Sequence, residues 1–234
     1  IFVKPATTPY RMEVKLVENE IENSVAVKWQ ARRSTLMPHQ EKFMKKIAAF
    51  LKKNPRTHIV VHPVVYASKE REYILFFETK KKYFLIAHKK EKKDFTAEDS
   101  AAVEQMSIKD AGLVKRVSRG VSDTVMFTMQ ERFMHFVGKK IVDKKLAQLN
   151  ADRVKSFRSF FEQETEPRIK FRKPINDIPY NGFSFFKIEY ENGMPDELRK
   201  AYHEMLELND EAPRNKYLRA RKKDPTIPRE VVSK

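Results

Sequence analysis

Residues 34–66 constrain the fold most, because they read as an amphipathic helix that leads directly into a buried strand. Apolar residues recur at helical spacing over 43–51, and lysines fall mostly between them. An asparagine-proline pair at 54–55 ends the helix, since the residue before a proline is pushed out of helical geometry. The β-branched run over 59–65 then favours a covered strand.

Residues 25–31 are predicted to form a strand before this helix. The three segments together make a strand–helix–strand unit, which is the building block of an α/β fold. Upstream, residues 1–23 read as an incoming linker, within which residues 10–17 alternate apolar and polar side chains like an edge strand.

Residues 67–148 show helical periodicity and no strand pattern. Thr96 with the acids that follow it reads as a helix start, because threonine caps the first amides and acids favour the N-terminal end of the helix dipole. Residues 107–110 repeat this signature, and a further apolar pattern at helical spacing runs from Val125 to Leu149. We therefore predict a helical insertion, or a helical subdomain packed on the sheet, at about 67–148.

The α/β pattern returns after residue 149. The predicted elements are a helix over 153–161, a short strand over 168–171, a last strand over 183–190 and a helix over 195–208. The sequence thus predicts a mixed α/β (α+β) fold, with one domain over 24–208 that contains the insertion. Residues 209–234 are rich in lysine, arginine and proline and read as a basic, mobile C-terminal tail.

Composition limits the classes of function. With 48 basic against 32 acidic residues the net charge is +16, which attracts nucleic acid, anionic lipid or acidic polymers but also fits solvated helix faces. The absence of cysteine excludes disulfides, thiolate metal sites and cysteine nucleophiles. Only 5 glycines and no Gly-rich phosphate motif argue against nucleotide chemistry. No apolar run is long enough to span a bilayer, so we expect this segment itself to be soluble.

No residues of the sequence form a recognisable catalytic or metal-binding pattern. His58 and His62 share one face of a strand, but no acid or third histidine stands at ligand spacing in the sequence. A Gly-x-Ser-x-Gly nucleophile motif is also missing. We therefore predict a protein that is not an enzyme, with no metal and no cofactor.

Lysine and aromatic residues alternate over 80–84, a pattern that suits base stacking and phosphate neutralisation. The same pattern suits a helix with an apolar core face and a basic outer face. A basic nucleic-acid-binding protein is therefore an alternative function.

Two blocks of the chain, residues 24–66 and 147–190, resemble the OmpA-like domain of Gram-negative envelopes. That family has the order strand–helix–strand–helix–strand–strand in a mixed sheet. Residues 149–157, with Arg153 as the arginine, are similar to the family's helix motif Leu-Ser-x-x-Arg-Ala-x-x-Val. An OmpA-like unit split by a large helical insertion further resembles the C-terminal region of AsmA-like envelope proteins of the Bacteroidetes type.

This resemblance implies a non-catalytic periplasmic module whose parent chain is anchored in the inner membrane. The implied role is binding or docking in envelope assembly and lipid transport. Implied partners are envelope components, namely anionic lipid, peptidoglycan or an envelope protein, and nucleic acid is not expected as a partner.

Peptidoglycan binding is a further alternative that the resemblance implies. OmpA-like domains grip diaminopimelate with an aspartate after the second strand and with the arginine of the helix motif, since an ammonium needs a carboxylate and a carboxylate a guanidinium. Arg153 keeps the arginine, whereas the acid position falls near residues 64–65, which are both valine. Arg153 is thus either a ligand-binding residue or a surface or helix-capping arginine.

Overall fold

A five-stranded mixed sheet organises the computed structural model, which describes residues 24–119, 128–176, 182–191 and 193–208. Its strands are β1 (Val25–Lys28), β2 (Ile59–Val65), β3 (Ile169–Phe171), β4 (Ile175–Asn176) and β5 (Phe185–Tyr190). The sheet order is β1-β5-β2-β3, and β4 also pairs with β2. The predicted linker and edge strand over 1–23 and the predicted tail over 209–234 lie outside the described residues.

Seven α-helices lie within these ranges. They are α1 (Pro38–Lys53), α2 (Ala67–Ala87), α3 (Ala97–Gln105), α4 (Ala111–Ser118), α5 (Met129–Val137), α6 (Lys139–Arg158) and α7 (196–208). Among the described residues, none of the helices combines the length and the apolar composition needed to cross a bilayer.

The sheet joins segments that lie far apart in the sequence. Strand β2 pairs antiparallel with β5, placing Ile59 opposite Tyr190, and pairs parallel with β3, placing Ile59 opposite Ile169. Strand β1 pairs antiparallel with the other edge of β5. The predicted mixed α/β fold class is therefore confirmed, although β1 ends at Lys28, earlier than predicted.

One hydrophobic core lies between a single face of the sheet and three helices. Alternate residues of β2, such as Ile59 and Val61, are buried, as the period of two requires. Helix α1 contributes Phe43 and Ile47, and the C-terminal end of α6 contributes Phe157. Helix α7 completes this core with Leu198, Ala201, Tyr202 and Met205.

A second hydrophobic core holds the helices together away from the sheet. It contains Ile74 of α2, Leu113 of α4, Phe133 of α5 and Val142 of α6. Helix α6 belongs to both cores, because its N-terminal half packs here and its C-terminal end packs on the sheet. The prediction of a separate helix over 153–161 is wrong, because residues 153–158 are the last part of α6, which ends at Arg158. The predicted insertion boundary at 148 also falls inside this helix.

Most of the predicted helix starts agree with the observed caps. The Thr96 hydroxyl accepts a hydrogen bond from the Asp99 amide at 3.2 Å, as predicted for the start of α3. The start predicted over 107–110 is set by Asp110, whose carboxylate accepts from the Leu113 amide at 2.8 Å. Part of the apolar pattern between Val125 and Leu149 falls on residues 120–127, outside the described ranges, and α5 starts after Thr128.

Gly138 joins α5 to α6 with a backbone φ of 97° and ψ of 126°. This backbone conformation is strained for any residue with a Cβ. Asparagine tolerates the left-handed helical region, but a ψ of 126° lies outside that region, so asparagine should be strained as well. We expect Gly138→Ala and Gly138→Asn each to lower the free energy of unfolding by about 1–3 kcal/mol in urea titrations. A loss confined to alanine would contradict this, because the cost would then not arise from the backbone.

Candidate functional site

Arg153, the ligand-binding residue suggested by the sequence, is buried between the two cores. It lies on α6 one turn after Leu149 of the helical core and one turn before Phe157 of the sheet core. Its residue surface is 1 % exposed. Arg153 is therefore neither on the surface nor at a helix end.

The Arg153 guanidinium is held by one carboxylate and two backbone carbonyls. Nη2 donates to Glu70 Oε1 at 2.7 Å and to the Gln30 carbonyl oxygen at 3.0 Å, and Nε donates to the Arg33 carbonyl oxygen at 3.0 Å. Burial lowers the pKa of Arg153 while the Glu70 carboxylate raises it. The group stays charged at neutral pH, because arginine does not deprotonate in proteins. Arg153 thus fixes the connection between β1 and α1 against α2 and α6.

Glu70, in the first turn of α2, is the acid that pairs with Arg153, and it lies outside the stretch near residues 64–65 where the resemblance placed an acid. Its residue surface is 3 % exposed. Besides Arg153, the carboxylate accepts from Ser184 Oγ at 2.9 Å and from the Arg32 amide at 3.2 Å. In the sequence Glu70 reads as an ordinary first-turn acid, so its partner 83 residues away gave no local signal.

The pair that Glu70 and Arg153 form leaves little for a ligand to bind. The ammonium or carboxylate of a ligand would have to displace hydrogen bonds within the protein, and breaking a buried ion pair is costly. A pocket next to the pair, lined by Trp29, Glu70 and Ser184, has a volume of about 10 Å³. That is room for about one water molecule and far less than an amino acid needs.

Two donors at this site lack an acceptor within the described part of the chain. They are Nη1 of Arg153 and Nε1 of Trp29, whose residue surface is 1 % exposed. The Arg153 guanidinium lies 5.7 Å from the Trp29 ring centroid. Buried donors are usually satisfied by protein or by ordered water, so these two mark positions where water suits the site.

Two lysines of the basic cluster 80–82 on α2 donate hydrogen bonds to backbone carbonyls of the neighbouring helical segments. Lys80 Nζ donates to the carbonyl oxygens of Glu104 and Met106, at 3.0 and 3.1 Å, at the C-terminal end of α3. Lys82 Nζ donates to the carbonyl oxygen of Phe136, near the C-terminal end of α5. Cations favour the negative end of a helix dipole, so both contacts stabilise the packing of α2 on its neighbours.

Lys81 is also engaged within the chain. Its Nζ lies 3.8 Å from the centroid of the Phe95 ring, a cation–π distance. Burial lowers the pKa of Lys81 and of Lys80. Within this pattern Phe84 is buried, Lys80, Lys81 and Tyr83 are half-buried, and Lys82 is exposed.

We expect Lys80→Met to lower the free energy of unfolding by about 1 kcal/mol, because it removes two hydrogen bonds from an ammonium. Lys92→Met is the matched control, since Lys92 is exposed and should change stability by less than about 0.5 kcal/mol. Urea titrations of both variants give the comparison. Equal urea midpoints for Lys80→Met and Lys92→Met would show that Lys80 does not stabilise the end of α3.

His62 of β2, and His58 directly before that strand, lie beside glutamates of the C-terminal part of the chain. His62 Nε2 lies 2.9 Å from Glu189 Oε2, and His58 Nδ1 lies 3.3 Å from Glu191 Oε2. The antiparallel register of β2 and β5 makes these neighbours, which the sequence spacing of the acids could not indicate. No group of three or more metal-ligating side chains comes together in the ranges that the structure describes.

Comparisons with protein-family models, with curated proteins and with solved structures found no match for this chain.

Proposed function

We propose that this chain is a non-catalytic, OmpA-like periplasmic module of an AsmA-like envelope protein that docks on envelope components. The order of elements supports the proposal: β1, α1 and β2 come first, and α6, β3 and β5 follow a long helical stretch. The blocks on which the resemblance depends, residues 24–66 and 147–190, meet in one sheet. The role is structural attachment in envelope assembly or lipid transport.

One observation favours docking over the family's peptidoglycan-binding mode. The family arginine, Arg153, is already paired with Glu70 at 2.7 Å, and both residues are buried. An internally neutralised pair offers neither a free carboxylate for an ammonium nor a free guanidinium for a carboxylate. The outer surface of the domain therefore carries its contacts.

Export of the parent protein tests the envelope assignment. We expect alkaline phosphatase, fused to the parent protein directly after the residue that is Leu208 of this chain, to be active in cells, because that enzyme folds only outside the cytoplasm. An inactive fusion that accumulates as intact protein would overturn the assignment.

Retention on peptidoglycan tests the docking mode. We expect the purified chain to stay in the supernatant when purified sacculi are sedimented. Retention on sacculi that a diaminopimelate-containing peptide competes away would restore the peptidoglycan mode.

A further inference from the structure

The outer side of α6 is a stripe of lysines without acids. Lys140, Lys144 and Lys155 are exposed and lie opposite the buried stripe that includes Val142 and Leu149, as 3.6 residues per turn requires. The residues between these lysines on the same side include two exposed alanines. They are Ala147 and Ala151.

The acids of α6 lie at the flanks of this stripe and are engaged there. Asp143 accepts a hydrogen bond from Arg71 Nε at 2.9 Å, and Asp152 accepts from Gln148 Nε2 at 2.8 Å. The lysines of the stripe have no carboxylate at ion-pair distance within the described ranges. Their charges are therefore available to a partner.

Helix α1 repeats this arrangement. Lys42, Lys45 and Lys53 are exposed on the side opposite Phe43, Ile47 and Leu51, and Ala49 lies among them. The single acid of the helix is Glu41. Two further lysines of α1 are engaged in ion pairs: Lys46 with Glu204 at 3.1 Å and Lys52 with Glu162 at 3.0 Å.

The α6 stripe extends over both cores, whereas the α1 stripe covers the sheet core alone. Lys155 lies at the end of α6 that packs on the sheet, and Lys140 and Lys144 lie on the half that packs in the helical core. We call the lysines of the α6 stripe the basic surface. It consists of Lys140, Lys144 and Lys155.

We propose that the basic surface docks on the headgroup layer of an anionic lipid bilayer, an inference that rests on the proposed envelope function. Lysine is a compact charge on a flexible stem, which suits diffuse headgroups, and small alanines between the lysines let the ammonium groups approach a flat layer. Nucleic acid fits less well, because Arg158, the arginine on the same side of α6, already pairs with Glu166 at 2.6 Å, and no aromatic residue of α6 lies between these lysines for base stacking.

Sedimentation with vesicles tests the proposal with a matched pair of variants. The basic-surface variant is Lys140→Glu/Lys144→Glu/Lys155→Glu. The control is Lys92→Glu/Lys109→Glu/Lys115→Glu, which changes the net charge equally at exposed lysines outside α1 and α6. Vesicles contain phosphatidylcholine with about one third phosphatidylglycerol, at low salt and at about 0.5 M salt. Circular dichroism checks that each variant is folded.

We expect the unaltered chain to bind the anionic vesicles at low salt and to be released by high salt. The basic-surface variant should lose at least about tenfold in partitioning, and the control less than about threefold, because screening limits attraction to charges near the bilayer. Equal losses in both variants would overturn the proposal, since net charge alone would then explain binding. Binding to pure phosphatidylcholine that neither variant changes would overturn it too.

Other results separate this inference from the proposed function. An active phosphatase fusion with no vesicle binding leaves the envelope assignment standing and removes the lipid surface. Conversely, the fusion could be inactive while vesicles bind the unaltered chain and not the basic-surface variant. That result would remove the envelope assignment and leave the lipid surface standing. Tighter binding to duplex DNA than to vesicles, lost in the same variant, would overturn the proposal and assign the surface to nucleic acid.

Discussion

Arg153→Met is expected to lower the free energy of unfolding by about 3–5 kcal/mol, because it leaves the buried Glu70 carboxylate without its charge partner. The two carbonyl oxygens of Gln30 and Arg33 lose their donor as well. Methionine fills much of the space of arginine, so the loss reports polar contacts more than volume. Urea denaturation followed by circular dichroism measures it.

A double variant separates charge from hydrogen bonding. In Arg153→Met/Glu70→Gln the side-chain amide oxygen still accepts from the Arg32 amide, the amide nitrogen can donate to Ser184 Oγ, and the unpaired charge is gone. We expect it to be at least about 1 kcal/mol more stable than Arg153→Met alone. Lys155→Met, on the exposed side of the same helix, should change stability by less than about 0.5 kcal/mol. A double variant no more stable than Arg153→Met would show that the unpaired Glu70 charge does not cause the loss.

Phe157→Ala is expected to cost a similar amount, about 3–5 kcal/mol, because it opens a cavity in the sheet core. The ring is fully buried, and its centroid lies 5.5 Å from Phe161 and 5.6 Å from both Phe171 and Phe186. These edge and tilted contacts join α6 to β3 and β5. The urea midpoint, with an unchanged slope, measures the loss.

Phe157→Leu provides the graded comparison, since it keeps most of the apolar volume. We expect it to lose less than half as much as the alanine variant, because the cavity is smaller. A loss of less than about 1 kcal/mol for Phe157→Ala would mean that the core collapses around the gap and that Phe157 does not anchor α6.

Local patterns predicted most of the fold. Helix α1 begins at Pro38 and ends before Asn54, as the proline rules indicate, and β2 spans the β-branched run. Helix α6 continues through residue 148, where the insertion was predicted to end. That boundary came from the resemblance to a family motif, and the helical periodicity shows no break there. Alternation similarly overestimated the last strand, which begins at Phe185.

The site was less predictable, because its contacts join distant segments. Arg153 was identified from its motif, but its burial and its partner depend on how α2 meets α6. Likewise, the contacts of Lys80 require the end of α3 to lie beside α2, which no spacing within residues 80–84 reveals. The sequence therefore predicts the residue types of the site, but not the contacts that surround them.

The sharing of α6 between two cores has a consequence for the order in which contacts are made. Strands β2 and β5 are separated by about 120 residues, and closing so long a loop carries an entropic cost that grows with the logarithm of its length. Packing of α2 on α6 leaves only about 27 residues of free chain between those strands. By that scaling the closure cost falls by about 1 kcal/mol, so early assembly of the helices favours the pairing on which the sheet depends.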